Sequence, residues 1–382
     1  MQPRLHRDLD AFASVAEPLF RTDAVTHTVA LTVLAQLRSG WYPIEDARTL
    51  LTVHDGGRAV GATLRVAGWP LLASGLPPES AEPVARALLE HDPELAAVSG
   101  PKDRATAFAA AWFAAYLEQT GAVIPSGTAA GASTGPTVAA VQAPSSGAAS
   151  APAPSSDAAS APAPCSGEAS APALASGEAS APAPGSGAAS AHAPNPAQSP
   201  TSATVEVPAP AAPPGAVEEV RLRLFRLGTL VPPEGVSGTA RLAGPADLDL
   251  VGKWMREFHA EAAPEAPSPE PETLRGPLER PGELRALLLW LDGGEPVALA
   301  GASAPIEAMS RIGPVYTPPD RRGRGYGSAV TSAATRWALD AGARHVVLFT
   351  DLANPISNGI YPRLGYRPVH DAVQLALPTR SN

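Results

Sequence analysis

The sequence predicts a mixed α/β (α+β) fold, a central mixed sheet flanked by helices, built in two units and interrupted by a long low-complexity insertion. Helix-spaced apolar runs alternate with β-branched, strand-like runs on both sides of that insertion. Composition is the second sign. With 44 Pro, 34 Gly and only 5% aromatic residues among 382, a long stretch of the chain lacks the side chains that fill a core. Third, a ten-residue Ala/Ser/Pro repeat runs through positions 145–194 without a large apolar side chain in register.

The first unit spans 1–125. Leu9 to Phe20 and Val25 to Leu37 carry apolar residues at helical spacing, with Thr22 or Asp23 placed to cap the second helix. Thr49–Val53 and Ala59–Val66 read as strands joined by the turn His54-Asp55-Gly56-Gly57, and Leu71–Ser74 reads as a short third strand. A helix over Glu79–Glu90, a strand over Leu95–Ser99 and an Ala-rich helix over Asp103–Gln119 follow.

Residues 126–216 contain the repeat and are expected to be disordered, because stacking such units would bury too little to offset the entropy of ordering them. Cys165 and His192 occupy repeat slots that accept Ser, Ala, Gly or Pro, so neither is read as a functional residue. The alternating run Val217–Leu227 is assigned to the first unit, giving 1–125 with 217–230; a linker followed by a stray strand is the alternative.

The second unit spans 238–378. Thr239–Leu242 reads as a strand. Ala246–Glu261 reads as a helix with Leu248, Val251, Trp254, Met255 and Phe258 on one face. A Pro/Glu-rich stretch leads to a hairpin, Arg285–Leu291 and Val297–Ser303 around Asp292-Gly293-Gly294. Arg311–Thr317 forms a strand stopped by Pro318-Pro319, and a helix carrying Val330, Ala333, Ala334, Trp337 and Ala338 ends at Gly342.

Between that strand and helix lies Arg321-Arg322-Gly323-Arg324-Gly325-Tyr326-Gly327. A glycine-dense turn opening a helix aims backbone N–H groups and the positive helix end at one spot, which suits an anion such as a pyrophosphate. The spacing Arg322-x-x-Gly325-x-Gly327 resembles the acetyl-CoA signature Q/R-x-x-G-x-G/A of the GNAT N-acetyltransferase superfamily. The strand His345–Phe349 and the run from Asn354 through Tyr361 to Gly365-Tyr366 resemble that family's following strand-to-helix segment. The first unit repeats the order of elements, but its Ser74-Gly75-Leu76-Pro77-Pro78-Glu79-Ser80-Ala81-Glu82 has one glycine and two carboxylates where the cradle should be. It reads as a diverged copy that does not hold CoA, or as an unrelated α/β domain.

The resemblance implies an acetyl-CoA-dependent N-acetyltransferase acting on the primary amine of a small molecule or peptide. It implies that Val315, Tyr316 and Thr317 hold the pantetheine arm through their backbone. Arg322, Gly323, Arg324, Gly325, Tyr326 and Gly327 would hold the pyrophosphate, Asn354 would contact the arm, and Tyr361 would protonate the leaving thiolate. Asn354 before Pro355 is also a plain helix cap, and Tyr361 also suits a core position. Glu307, Asp351 or a water chain remains open as general base. The contrasting reading is an acyl-CoA sensor without turnover.

The net charge of −9 offers no basic field for nucleic acid. One cysteine, a charged start and the lack of a membrane-length apolar run point to the cytoplasm and away from membranes. The eight His residues show no metal-ligand spacing, so no metal is expected.

Overall fold

The computed structural model describes residues 1–40, 43–121, 218–262 and 271–379, all of them within one compact unit. The repeat, with Cys165 and His192, lies outside the described residues. Side-chain periodicity sets the local structure. In the first half β1 (Gln2–Leu5) is followed by α1 (Leu9–Arg21), whose Asp8 cap accepts from the Ala11 N–H at 2.7 Å, and by α2 (Thr28–Arg38). That second helix starts three residues later than expected because Thr22 to His27 form consecutive turns, in which Asp23 accepts from the Thr26 N–H.

β2 (Ala47–Asp55) and β3 (Arg58–Val66) form the expected hairpin, with Gly56 and Gly57 at φ 54 and 85. Next come β4 (Leu71–Leu72), α3 (Ala81–His91), β5 (Ala97–Pro101), α4 (Lys102–Thr120) and β6 (Glu218–Leu227). The second half runs through β7 (Thr239–Leu242), α5 (Leu248–Ala262), α6 (Pro271–Glu279), β8 (Arg285–Asp292) and β9 (Glu295–Ser303). It continues with β10 (Met309–Tyr316), α7 (Tyr326–Asp340), β11 (His345–Asp351), α8 (Pro355–Arg363) and β12 (Tyr366–Ala376). The two halves therefore present their helices and strands in the same order.

β1, β2 and β3 make a small antiparallel sheet; the other nine strands form one sheet in the order β4-β5-β12-β6-β11-β10-β9-β8-β7. β6, assigned from sequence to the first unit, has β11 and β12 as its antiparallel neighbours. β12 in turn runs between β6 and β5 of the first half. Two strands cross over, and the halves become a single ladder.

Alternation along the strands sorts the helices. Val347 on β11 packs with α1 and α2, whereas Val346 and Leu348 pack with α7 and Tyr361 of α8. Leu287, Leu289 and Leu299 lie against α5 and α6, on the side away from α7. The result is three layers, with α1, α2, α5 and α6 on one face of the large sheet and α3, α4, α7 and α8 on the other.

Candidate functional site

β10 and β11 run parallel, so the chain leaves both at the same end, and the segments leading to α7 and α8 start side by side. Their pairing lasts from Met309 opposite His345 to Ile312 opposite Leu348, yet β10 runs on to Tyr316 and β11 to Asp351. Beyond Ile312 the two strands part. Against β9 the register shifts between Ile312 and Val315, at Pro314, which has no N–H to give a ladder. The backbones crowd there: a Cβ on Gly301 would meet the Gly313 carbonyl oxygen at 2.6 Å. Arg285 donates to that same oxygen at 3.3 Å.

Beyond Tyr316 the chain makes a 3-10 turn over Pro319–Arg321 and reaches Gly323 and Gly325, at φ 79 and 83. L side chains seldom adopt that conformation, so glycine is needed at both. Beside Gly323 a Cβ would meet nothing within 4 Å; beside Gly325 it would meet a Val236 methyl at 2.8 Å. Gly325 caps α7, whose ladder starts with the Ala329 N–H on the Gly325 carbonyl at 3.0 Å. The N–H groups of the first turn have no acceptor within the helix and carry its positive end.

Several side chains have partners that sequence did not disclose. Arg322 donates to the Thr317 carbonyl at 2.8 Å and forks onto Glu261 of α5 at 2.7 and 2.8 Å, with the side chain 46% exposed. Arg321 pairs with Asp320. Tyr326 points inward and bonds to Asp292, so only its backbone faces the turn. Tyr316 is also turned inward and donates to Glu257 at 3.0 Å, and burial together with that carboxylate pushes its phenol up to about 12. Val315 and Thr317 are half-buried beside the parted strands.

On α8, Asn354 caps the helix by accepting from the Ser357 N–H at 3.0 Å and is itself exposed. Tyr361 is 8% exposed, between the rings of Phe225 at 6.1 Å and Tyr366 at 6.2 Å. Burial pushes its phenol up to about 12, with the Ser357 side chain pulling the other way, so the group is protonated at neutral pH. Asp351 accepts from the Ala353 N–H at 2.8 Å, the turn-capping role that its sequence context allowed. Glu307 lies at the far end of β10. It precedes β10 and is paired with Arg21 at 2.8 Å, and the strand from Met309 puts about 20 Å between that end and Val315.

Among the described residues no group of His, Cys, Asp and Glu could hold a metal ion, and no helix is long and apolar enough to cross a membrane.

No curated protein matches the chain. Among solved structures, a GCN5-related N-acetyltransferase from Kribbella flavida is 26% identical, covering 44% of this chain and 61% of its own at a TM-score of 0.35. A GCN5-related N-acetyltransferase from Sphaerobacter thermophilus is 22% identical over 44% of this chain and 56% of its own, with a TM-score of 0.33. This chain thus spans well under the full length of either. A GNAT-family acetyltransferase from Colwellia psychrerythraea aligns over 99% of this chain and 100% of its own at 10% identity and a TM-score of 0.47. Residues 249–366, which contain the parted strands, the glycine turn and α8 through Tyr366, match the family model described as the acetyltransferase (GNAT) family.

Proposed function

We propose that the second half transfers an acetyl group from acetyl-CoA to the primary amine of a small-molecule or peptide acceptor. The observation that carries this reading is the convergence, at one end of a parallel strand pair, of three features: parted backbones beyond Ile312, a left-handed glycine turn opening α7, and the cap of α8.

The residues present suit the donor. The open space beside Gly323 and the N–H groups of the first turn of α7 accommodate a pyrophosphate, with Arg324 exposed alongside. The stretch Val315–Thr317, free of β11, offers backbone groups to an extended amide-bearing arm, which Asn354, the exposed cap of α8, contacts in this reading. Acetyl-CoA supplies the activated acyl group. An amine nitrogen forms the new C–N bond as the C–S bond breaks, and the products are an amide and a thiol. Tyr361 gives its phenolic proton to the departing sulfur and is reprotonated by the proton that the amine releases to Asp351 or water.

The matching order of elements in the two halves supports a tandem reading, with 1–125 and 217–230 as a diverged copy and 238–378 as the active one. The test incubates purified protein with acetyl-CoA and a primary-amine library, following thiol release and the acetylated product by mass. Acetylation of at least one amine is expected. Tight acetyl-CoA binding with no transfer to any amine would instead make the protein a sensor.

A further inference from the structure

On the face that carries α1 and α2, a small recess, partly open to solvent, lies over the large sheet where the two halves join. Its floor follows one cross-strand row. Pro101, the last residue of β5, lies opposite Ala372 of β12; Ala372 lies opposite Leu222 of β6; on β11 the lining residue is Phe349, two residues before the Asp351 that faces Leu222. The row spans about 10 Å, two strand spacings.

The recess therefore starts at β11, the strand whose parting from β10 opens the proposed transfer site, and ends where β4 and β5 part after Leu72 opposite Ser99. Phe349 and Leu222 line one side. Thr26, Ser74, Ser99 and His370 bring hydroxyls and an imidazole to a lining otherwise largely apolar. Ser74 is held in place by His27 at 3.2 Å and by Arg104, which donates to the Ser74 carbonyl. Asp23, Asp103 and Asp371 surround His370, with Arg104 as the opposing cation; Asp371 is also paired with Arg223. The field favours a cation over an anion, and the polar lining consists of uncharged donors and acceptors.

Resting on the acetyltransferase reading, we propose that this recess is the acceptor site, and that it holds a small hydroxylated primary amine whose amino group reaches past Phe349 to the parted strands. The first half then acts by supplying the acceptor-side wall from α2 and the β4 end. A peptide is disfavoured, because the space is small and crossed by strands from both halves.

The experiment compares serinol and ethanolamine with n-butylamine and a lysine-containing peptide as acceptors, at saturating acetyl-CoA. The hydroxylated amines are expected to lead in kcat/KM by about tenfold. In Thr26→Val and His370→Gln, acceptor KM should rise about three- to tenfold, while acetyl-CoA KM and the melting temperature stay close to wild type. Ala372→Leu, which fills the floor, should do the same more strongly, with acetyl-CoA affinity by calorimetry as the control for folding. The proposal is overturned if the peptide is preferred, if acceptor KM is unmoved in all three folded variants, or if acetyl-CoA binds and none of these amines is acetylated. Absence of acetyl-CoA binding would instead defeat the underlying acetyltransferase reading.

Discussion

The turn between β4 and α3 and the turn between β10 and α7 hold the same place in the two halves and do opposite things with their backbone. In the first half, Ala73–Gly75 and Pro78–Ser80 fold into two 3-10 turns pressed onto β3. Leu76 is 2% exposed, a Cβ on Gly61 would meet Pro77 Cδ at 2.5 Å, and a Cβ on Gly75 would collide with the Ala62 carbonyl oxygen. That turn spends its contacts on its own chain. The second turn holds Gly323 and Gly325 in left-handed backbone, with open space beside Gly323 and the start of α7 behind. Glycine thus answers close packing in one half and an exposed N–H cradle in the other. The sequence difference of one glycine against three goes with inward use of the first turn and outward use of the second.

The largest expected difference between the halves is chemical. Tyr361→Phe keeps the ring between Phe225 and Tyr366 and removes the proton that the second half is proposed to deliver. A fall in kcat on the order of 10² to 10⁴ should follow, with acetyl-CoA affinity nearly unchanged. Wild-type kcat in a well-folded Phe variant, measured where chemistry limits the rate, would take Tyr361 out of the mechanism.

The glycines give a direct contrast. Gly75→Ala forces a Cβ onto backbone that cannot yield, and should cost several kcal/mol of stability in denaturant melts, with acetyl-CoA binding per folded molecule unchanged. Gly325→Ala asks a side chain to adopt φ 83 and crowds a Val236 methyl, at roughly 1–2 kcal/mol, and its clearer effect should be weaker acetyl-CoA binding. Calorimetric stoichiometry belongs with this pair. One acetyl-CoA per chain is expected, and two equivalent sites would show that the first turn opens after all.

Acid should reach the first half through His27. It is 6% exposed, and burial, with Arg104 nearby, lowers its pKa from 6.5 to about 4. The unfolded chain binds that proton more readily, so the contribution of a neutral His27 is fully present above about pH 6.5. It is lost as the pH falls toward 4, about 3 kcal/mol in all. Urea melts between pH 7.5 and 4.5 should show this loss, and His27→Gln should flatten it; an unchanged slope would place the acid sensitivity elsewhere.

Much of the fold was legible because short-range chemistry writes it. The Gly56-Gly57 and Gly293-Gly294 turns, the Asn354-Pro355 cap and the left-handed glycines before α7 all appear where spacing placed them. What depends on distant partners did not appear. β12 went unrecognised and the neighbours of β6 were not foreseen, since their ladder joins residues roughly 150 positions apart and register leaves no local trace. α6 forms in a Pro/Glu-rich stretch because Leu274 and Leu278 are buried against α5 and β8, a tertiary gain that outweighs poor propensity. In the site, backbone features were readable. The partners of Arg322 and Tyr316 were not, because they depend on where α5 docks.

The smallest expected effect concerns Arg322. Two routes connect it to the donor: direct bonds to phosphate, or fastening the turn to α5 through Glu261 and the Thr317 carbonyl. The pair is half-exposed, so as a tether it should contribute under about 1 kcal/mol, whereas a direct charge-assisted bond is worth about 1.5 to 3 kcal/mol. Arg322→Ala should weaken acetyl-CoA binding on either route, which makes Glu261→Gln the deciding variant. If Arg322 is a tether, Glu261→Gln reproduces most of the loss and the double variant adds little to it. If Arg322 swings to the phosphates when the donor binds, removing Glu261 frees the guanidinium, and affinity should hold or rise slightly. The engagement of both carboxylate oxygens of Glu261 favours the tether, and a double-mutant cycle read by calorimetry at low and high salt separates the two.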